Sequence, residues 1–213
     1  KDGQCSSVTW RMGQVSQEAC CSWVVSTVPI SQLPGLINPS PARSFHASGE
    51  WLQFRGIIFV GLLVSQSSVL PASFMYFRDK TFNRITDLSR FGVKILPEGA
   101  TILIAEITAQ PDSPLWINDQ CASDLVIAEL VEDGLIAKSD LLETNVFKTE
   151  HGYPIYRVGY EKHLESMISH NKKYQNLFSI GRQGRFAYIN THVAMKMGYD
   201  TAREIQKRPT RSV

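Results

Sequence analysis

The stretch from Gly56 to Val64, Gly-Ile-Ile-Phe-Val-Gly-Leu-Leu-Val, is the longest apolar run in the chain, and its nine residues set the first constraint on the fold. A helix that crosses a bilayer needs about twenty such residues, whereas a strand covered on both faces needs only about four to eight. The run therefore predicts a core strand from Phe54 to Val64 inside a soluble domain. With 213 residues, 43% hydrophobic and 20% charged, the chain is long enough to bury a core without disulfide staples. Its 14 glycines and 10 prolines exclude collagen-like and low-complexity classes. A net charge of +2 is too balanced to hold nucleic acid or anionic lipid by bulk electrostatics, so any bound anion must be met by a few placed residues. The N-terminus lacks the charged-then-apolar layout of a signal peptide, and a cytoplasmic location is expected.

Cys5, Cys20, Cys21 and Cys121 show neither a CxxC spacing nor the density of a stapled secreted domain, which predicts four reduced structural thiols. Adjacent Cys20 and Cys21 would point to opposite faces of a strand. His163 and His170 are seven residues apart, two helical turns, beyond the usual i,i+4 metal pairing, and no metal site is predicted.

The opening, Lys1 to Gln17, reads as a hairpin with a strand at Ser6 to Met12, and Cys20 to Ile30 as a central strand of parallel type. Pro34 to Gly49 carries Pro, Gly, Ser and Asn punctuation and reads as a short helix or loop with a linker. Strands at Phe54 to Val64, Phe74 to Phe77 and Thr101 to Thr108 predict a mainly antiparallel sheet. A helix is expected after Ala122, capped by Ser123, with Leu125, Ala128 and Val131 as its buried stripe and Gly134 as its stop. Asn145 to Thr149 reads as a modest strand, and Glu161 to Ser169 as a helix burying Leu164, Met167 and Ile168. At the end come a short strand, Asn176 to Ile180, a glycine-punctuated loop from Gly181 to Tyr188, and a helix from Asn190 or Thr191 to about Lys207. That helix carries one stripe of Val193, Met197, Thr201 and Ile205 beside a small-residue stripe of Ala194, Gly198 and Ala202. Strand, glycine loop and helix start form an anion-friendly arrangement, because unpaired N–H groups and the positive end of the helix dipole converge there.

Four pieces occur in an informative order: Val24-Val25-Ser26-Thr27-Val28-Pro29-Ile30, Phe82-Asn83-Arg84-Ile85-Thr86, Tyr153-Pro154-Ile155-Tyr156, and Gly181-Arg182-Gln183-Gly184 followed by Tyr188-Ile189-Asn190. This order resembles the C-terminal half of the FAD-dependent amine oxidase superfamily, in the branch of protoporphyrinogen-oxidase-like proteins and UDP-galactopyranose mutase. The fold class implied is α/β, or α+β for the chain taken alone. A mixed, largely antiparallel substrate-domain sheet with helices, at 34–170, would lie between two portions of a Rossmann-like FAD domain, a strand and hairpin at 1–33 and a strand, loop and helix at 171–213. No GxGxxG occurs, and Gly181 to Gly184 is only GxxG. The resemblance therefore implies a further N-terminal half, carrying the dinucleotide cleft, as the partner of this one.

The resemblance assigns Gly181, Arg182, Tyr188 and Asn190 to the cofactor side, with FAD as cofactor. It assigns Arg84, Tyr153, Arg182 and Tyr188 to a small-molecule substrate that carries phosphate in the mutase case. Arginine suits that task because its planar fork offers paired donors to phosphate oxygens. The plainer readings are an Arg84 paired with nearby Asp87, Tyr153 and Tyr156 as core aromatics around Pro154, and the glycines as a tight turn into a helix. Many relatives carry an acid two positions after the asparagine, where this chain has His192. No residue is assigned a catalytic role. The implied activity is hydride transfer from substrate to FAD. The alternatives are sugar-nucleotide isomerisation with reduced FAD, and a non-catalytic fragment unable to hold FAD alone.

Overall fold

The computed structural model describes residues 3–39, 41 and 43–208. In chain order the elements are β1 (Ser7–Met12), β2 (Val15–Cys20), β3 (Val24–Ser26), α1 (Leu33–Leu36), α2 (Arg43–Trp51), β4 (Phe54–Val64), β5 (Phe74–Tyr76), β6 (Arg84–Asp87), β7 (Thr101–Ala109), α3 (Pro114–Ile117), α4 (Asp119–Glu132), β8 (Leu141–Pro154), α5 (Tyr160–Asn171), β9 (Leu177–Ser179), α6 (Gly181–Gly184) and α7 (Thr191–Lys207). They form two compact units, one of Lys1–Gln53 with Tyr153–Val213 and one of Phe54–Gly152. These limits follow contact density, whereas the division at 33/34 and 170/171 drawn from the sequence follows expected function.

The Phe54–Gly152 unit is built on a five-stranded sheet in the order β5-β6-β7-β4-β8. β4 and β7 pair antiparallel, with Ile58 opposite Ile107 and Leu62 opposite Leu103. Ile58, Val60, Leu62 and Val64 are wholly buried, each such burial worth about 1.5–3 kcal/mol. Gly56 is required where β4 passes Trp116, since a Cβ there would stand 2.6 Å from the Ala109 carbonyl oxygen and 2.8 Å from the Trp116 ring. At the end of β6 the fully buried Asp87 accepts hydrogen bonds from the Val69 and Leu70 N–H groups at 2.8 and 3.0 Å, and from the Ser89 and Thr101 hydroxyls at 2.7 Å each. Burial opposes ionisation, but these donors outweigh it and bring the carboxyl down to about 2.

Three expectations are corrected in this unit. α4 begins at Asp119, capped by the Asn118 side chain accepting from the Cys121 N–H, so Ser123 lies inside the helix and is buried. Its core stripe is Ala122, Val126 and Leu130, while Leu125 and Val131 are exposed. A spacing of four selects the face that meets the sheet, and the spacing of three read from the sequence tracks its neighbour. β8 runs for 14 residues rather than the five of Asn145 to Thr149. An edge strand keeps polar side chains outside, which hides its length from an apolar count.

In the other unit, β1 and β2 form the expected hairpin, with Met12 opposite Val15 and Gly13 at φ +60° in the turn. The long strand expected over Cys20 to Ile30 is only three residues, β3, paired parallel to β9. Val25 is 45% exposed, so the strand is not covered on both faces. Its ladder stops at Ser26 opposite Ser179, where β9 ends and the chain turns at Gly181, and Pro29 offers no N–H to resume it. The Pro34 to Gly49 stretch contains most of α2, which packs on α5 through two ring stacks, Phe45 on His170 at 3.8 Å and Trp51 on His163 at 4.6 Å. Within α5 only Met167 and Asn171 are fully buried, Leu164 and Ile168 being half-buried. The α7 stripe of Val193, Met197, Thr201 and Ile205 is the shielded side of that helix, as expected from its spacing. All four cysteines are free thiols.

Candidate functional site

Beyond β9 the chain turns through Gly181, whose φ of +79° is the left-handed region that costs glycine little. The expected loop contains the one-turn helix α6, and the Arg185 N–H donates to the Gly181 carbonyl at 3.0 Å. Phe186 follows at φ +48°, uncommon for a bulky side chain, and is held there by burial against Tyr156 at 5.9 Å and Tyr160 at 5.8 Å. The chain then presents Tyr188, whose N–H donates to the Tyr156 hydroxyl at 2.7 Å.

Arg182 closes the turn on itself. Its Nε and Nη2 donate to the Ile189 carbonyl at 3.1 and 2.7 Å, and its guanidinium lies 5.4 Å from the Tyr153 ring and 5.3 Å from the Tyr188 ring. The two rings are 5.3 Å apart and tilted by 51°. The three centres form a nearly equilateral triangle, so the guanidinium lies beside the pair of tilted rings and within cation–π reach of both, which fixes a long side chain in place. Asn190 caps α7 from extended backbone, its carbonyl accepting from Val193 and Ala194 N–H groups, while its side chain makes no cap bond. Gly181, Arg182, Tyr153, Tyr188 and Asn190 thus belong to one compact unit, and three of them form a single ring and guanidinium cluster.

Arg84 belongs to the other unit. It sits on β6 opposite Glu106 and donates to that carboxylate through Nε at 2.9 Å and through Nη2, with the Phe74 and Tyr76 rings 5.8 and 6.0 Å away. The pairing with Asp87 read from the sequence is corrected. Residues three apart on a strand point to opposite faces, so Asp87 turns into its own buried network while the cross-strand partner meets Arg84. Phe186 falls within the loop expected from Gly181 to Tyr188, and Tyr156 within the Tyr153-Pro154-Ile155-Tyr156 piece, but the sequence assigns neither a place in the site. The backbone conformation that makes Phe186 matter leaves no mark in residue type.

In the unit that contains Arg182, a hollow of about 700 Å³ is lined by β9, α5 and α7 but by none of Arg182, Tyr153 or Tyr188. Among the described residues no group of three or more His, Cys, Asp or Glu is placed to hold a metal, and no helix is long and apolar enough to cross a membrane.

No protein-family model matches the sequence, and no curated protein matches it. The fold is nevertheless shared: mixed helices and antiparallel sheet match the C-terminal part of FAD amine oxidase-like folds. A reduced UDP-galactopyranose mutase superposes with a TM-score of 0.74 at 21% identity, over 92% of this chain and 43% of that one. A putrescine oxidase with redesigned cofactor binding gives 0.64 at 15% identity, over 96% and 46%. A provisionally assigned protoporphyrinogen oxidase from Exiguobacterium sp. 255-15 gives 0.60 at 14%, over 93% and 46%. The chain spans less than half the length of each of these structures.

Proposed function

We propose that the chain is the substrate-facing and flavin-facing portion of an FAD-dependent oxidoreductase of the amine oxidase type, completed by an N-terminal half that carries the dinucleotide cleft. The observation that carries this reading is the cluster of Arg182, Tyr153 and Tyr188 between the Gly181 turn and the start of α7, within a fold shared with a mutase and an oxidase. The residues present fit one side of a flavin. Gly181 has open space where a Cβ would stand, the start of α7 brings the positive end of a dipole, and Tyr188 offers a ring that is 60% exposed. When bound, the flavin supplies hydride acceptance. The chain's own part is to orient and shield: the Gly181 turn and Asn190 line the cofactor side, Arg182 holds the turn rigid, and Tyr153 and Tyr188 form the wall against which substrate lies.

The mutase reading stands second, favoured by an arginine grouped with two phenols, residue types suited to a diphosphate. The chain alone is expected to be inactive in either case. The test is the upstream reading frame followed by colour. A strand and a GxGxxG turn encoded there, and a joined polypeptide absorbing at about 450 nm, are expected. A joined polypeptide that stays colourless with added FAD overturns the flavin reading. Binding of UDP-galactopyranose to that polypeptide, measured by calorimetry, separates the enzymes: affinity unchanged in both Arg84→Lys and Arg182→Lys removes the mutase.

A further inference from the structure

We propose that Tyr156 is a positioning residue for the wall of Tyr153 and Tyr188: its hydroxyl holds the Tyr188 backbone and so sets the distance between the two rings. The inference rests on the flavin reading, which gives that wall its task. The N–H groups of the Gly181 turn can be followed one by one. Those of Arg185, Phe186 and Ala187 donate to the Gly181, Gln183 and Arg182 carbonyls at 3.0, 3.2 and 2.9 Å, all within the turn itself. The next, that of Tyr188, crosses to another segment and donates to the Tyr156 hydroxyl at 2.7 Å. One residue further on, the Ile189 carbonyl accepts from Arg182. Tyr188 is thus held on both sides by side chains of the candidate site.

Tyr156 is itself anchored. The Ile155 N–H just before it donates to the Gln53 carbonyl at 2.8 Å. Beyond it the chain makes a tight turn, the Arg157 N–H donating to the Ile155 carbonyl and the Tyr160 N–H to the Arg157 carbonyl at 3.0 Å each, and Gly159 at φ +85° leads into α5. The Tyr156 ring lies 4.7 Å from Tyr160 and 5.9 Å from Phe186. One short segment therefore carries both Tyr153, whose ring is 5.3 Å from that of Tyr188, and the hydroxyl that fixes the Tyr188 backbone. Removing the hydroxyl alters the gap between the two rings without touching either.

Two observations separate positioning from plain stabilisation. Tyr156 and Tyr188 are 49% and 60% exposed, and a hydrogen bond that water can replace adds little to folding. Phe186 holds φ +48°, a conformation that costs a bulky residue energy and persists only where its surroundings enforce it. Stability alone gains little from either. A binding wall gains from both, because rings held at a set spacing before a ligand arrives need not be ordered at the moment of binding.

The test compares Tyr156→Phe, which removes the hydroxyl and keeps the ring, with Tyr160→Phe, which removes a neighbouring hydroxyl outside this bond. In the 213-residue chain, with circular dichroism unchanged, Tyr156→Phe is expected to speed amide exchange at Tyr188 about fivefold and to weaken the NOE between the Tyr153 and Tyr188 rings, and Tyr160→Phe to alter neither. In the polypeptide joined to its N-terminal half the readout is flavin emission, which a tyrosine held beside the flavin quenches. Tyr156→Phe is expected to raise the emission per bound flavin. The proposal is overturned by unchanged exchange at Tyr188, by an equal effect of Tyr160→Phe, or by unchanged emission from a yellow joined polypeptide, which would leave the bond structural only. A joined polypeptide that stays colourless with added FAD overturns instead the flavin reading, and the task of the wall goes with it.

Discussion

The Phe54–Gly152 unit and the unit formed by Lys1–Gln53 with Tyr153–Val213 treat their apolar side chains differently. The first has one contiguous core, in which Ile58, Val60, Leu62 and Val64 from β4 meet Ile85, Leu103 and Ile107 from the neighbouring strands and Val126 and Leu130 from α4. The second divides its strands between a two-stranded hairpin and a parallel pair of three-residue strands. It leaves Trp10, Met12, Val15 and Val25 between 41% and 65% exposed. Parallel strands are ordinarily buried on both faces and hairpins need a covering layer. The first unit also leaves apolar side chains in water, Leu96, Ile117 and Phe147 being 65% to 73% exposed. The contrast therefore lies in the core: one unit builds a single cluster across a five-stranded sheet, while the other relies on short strands and helix packing.

The sharpest way to break this contrast is to truncate one side chain from each unit. Leu62→Ala is expected to cost about 3 kcal/mol in urea unfolding, because it leaves a cavity in close-packed core, whereas Trp10→Ala should stay within about 0.5 kcal/mol. Similar costs at the two positions would abolish the distinction.

Asp87 sharpens it next. The folded carboxyl is held at about 2 against an ordinary 3.8. The folded state therefore binds its proton less readily than the unfolded chain, and the stabilisation, about 2 kcal/mol, is complete above pH 3.8 and lost as pH falls through 2. Unfolding of the wild type between these values should show that slope, and Asp87→Asn should largely remove it. A wild type whose stability is flat over this window contradicts the network's assigned role.

The smallest effect is expected in the other unit, at the α2 and α5 packing. Burial, with help from the Lys173 charge, pushes His170 below its ordinary 6.5. A base whose folded value is depressed stabilises the fold fully above its unfolded value and progressively less as pH falls below it. Urea midpoints at about pH 7.5 and about pH 5.5 should differ in the wild type and converge in His170→Phe, which keeps the stack on Phe45. No convergence would mean that another group carries the slope.

Much of the self-contained unit was legible residue by residue. The apolar run at Phe54 to Val64 is strand β4 to the residue, and Thr101 to Thr108 lies one residue short of β7. These strands are central, so burial on both faces leaves an apolar record in sequence. β8 was largely illegible because an edge strand mixes Glu143, Lys148 and Glu150 with apolar residues. α4 was found but rotated, since it is apolar on two sides and the sequence does not say which side meets the sheet. Of the candidate site, Arg182, Tyr153 and Tyr188 are legible in the sequence and lie together, although Tyr153 and Arg182 are 29 positions apart. Their contact with Tyr156 through Tyr188, and the conformation of Phe186, were beyond reach because both depend on the path of the backbone.

By itself the sequence determined where apolar runs had to be buried, where glycine and proline had to end elements, and which residue types could serve an anion or a ring. Those are properties of single side chains and their immediate neighbours, and they act before any long-range contact exists. Tertiary structure alone decided that Arg84 answers to Glu106 rather than Asp87, that α4 turns its second apolar stripe outward, and that Arg182 folds back onto Ile189 beside two tyrosines. Each of these is a choice between partners of similar chemistry, and only the spatial register of strands and turns breaks the tie.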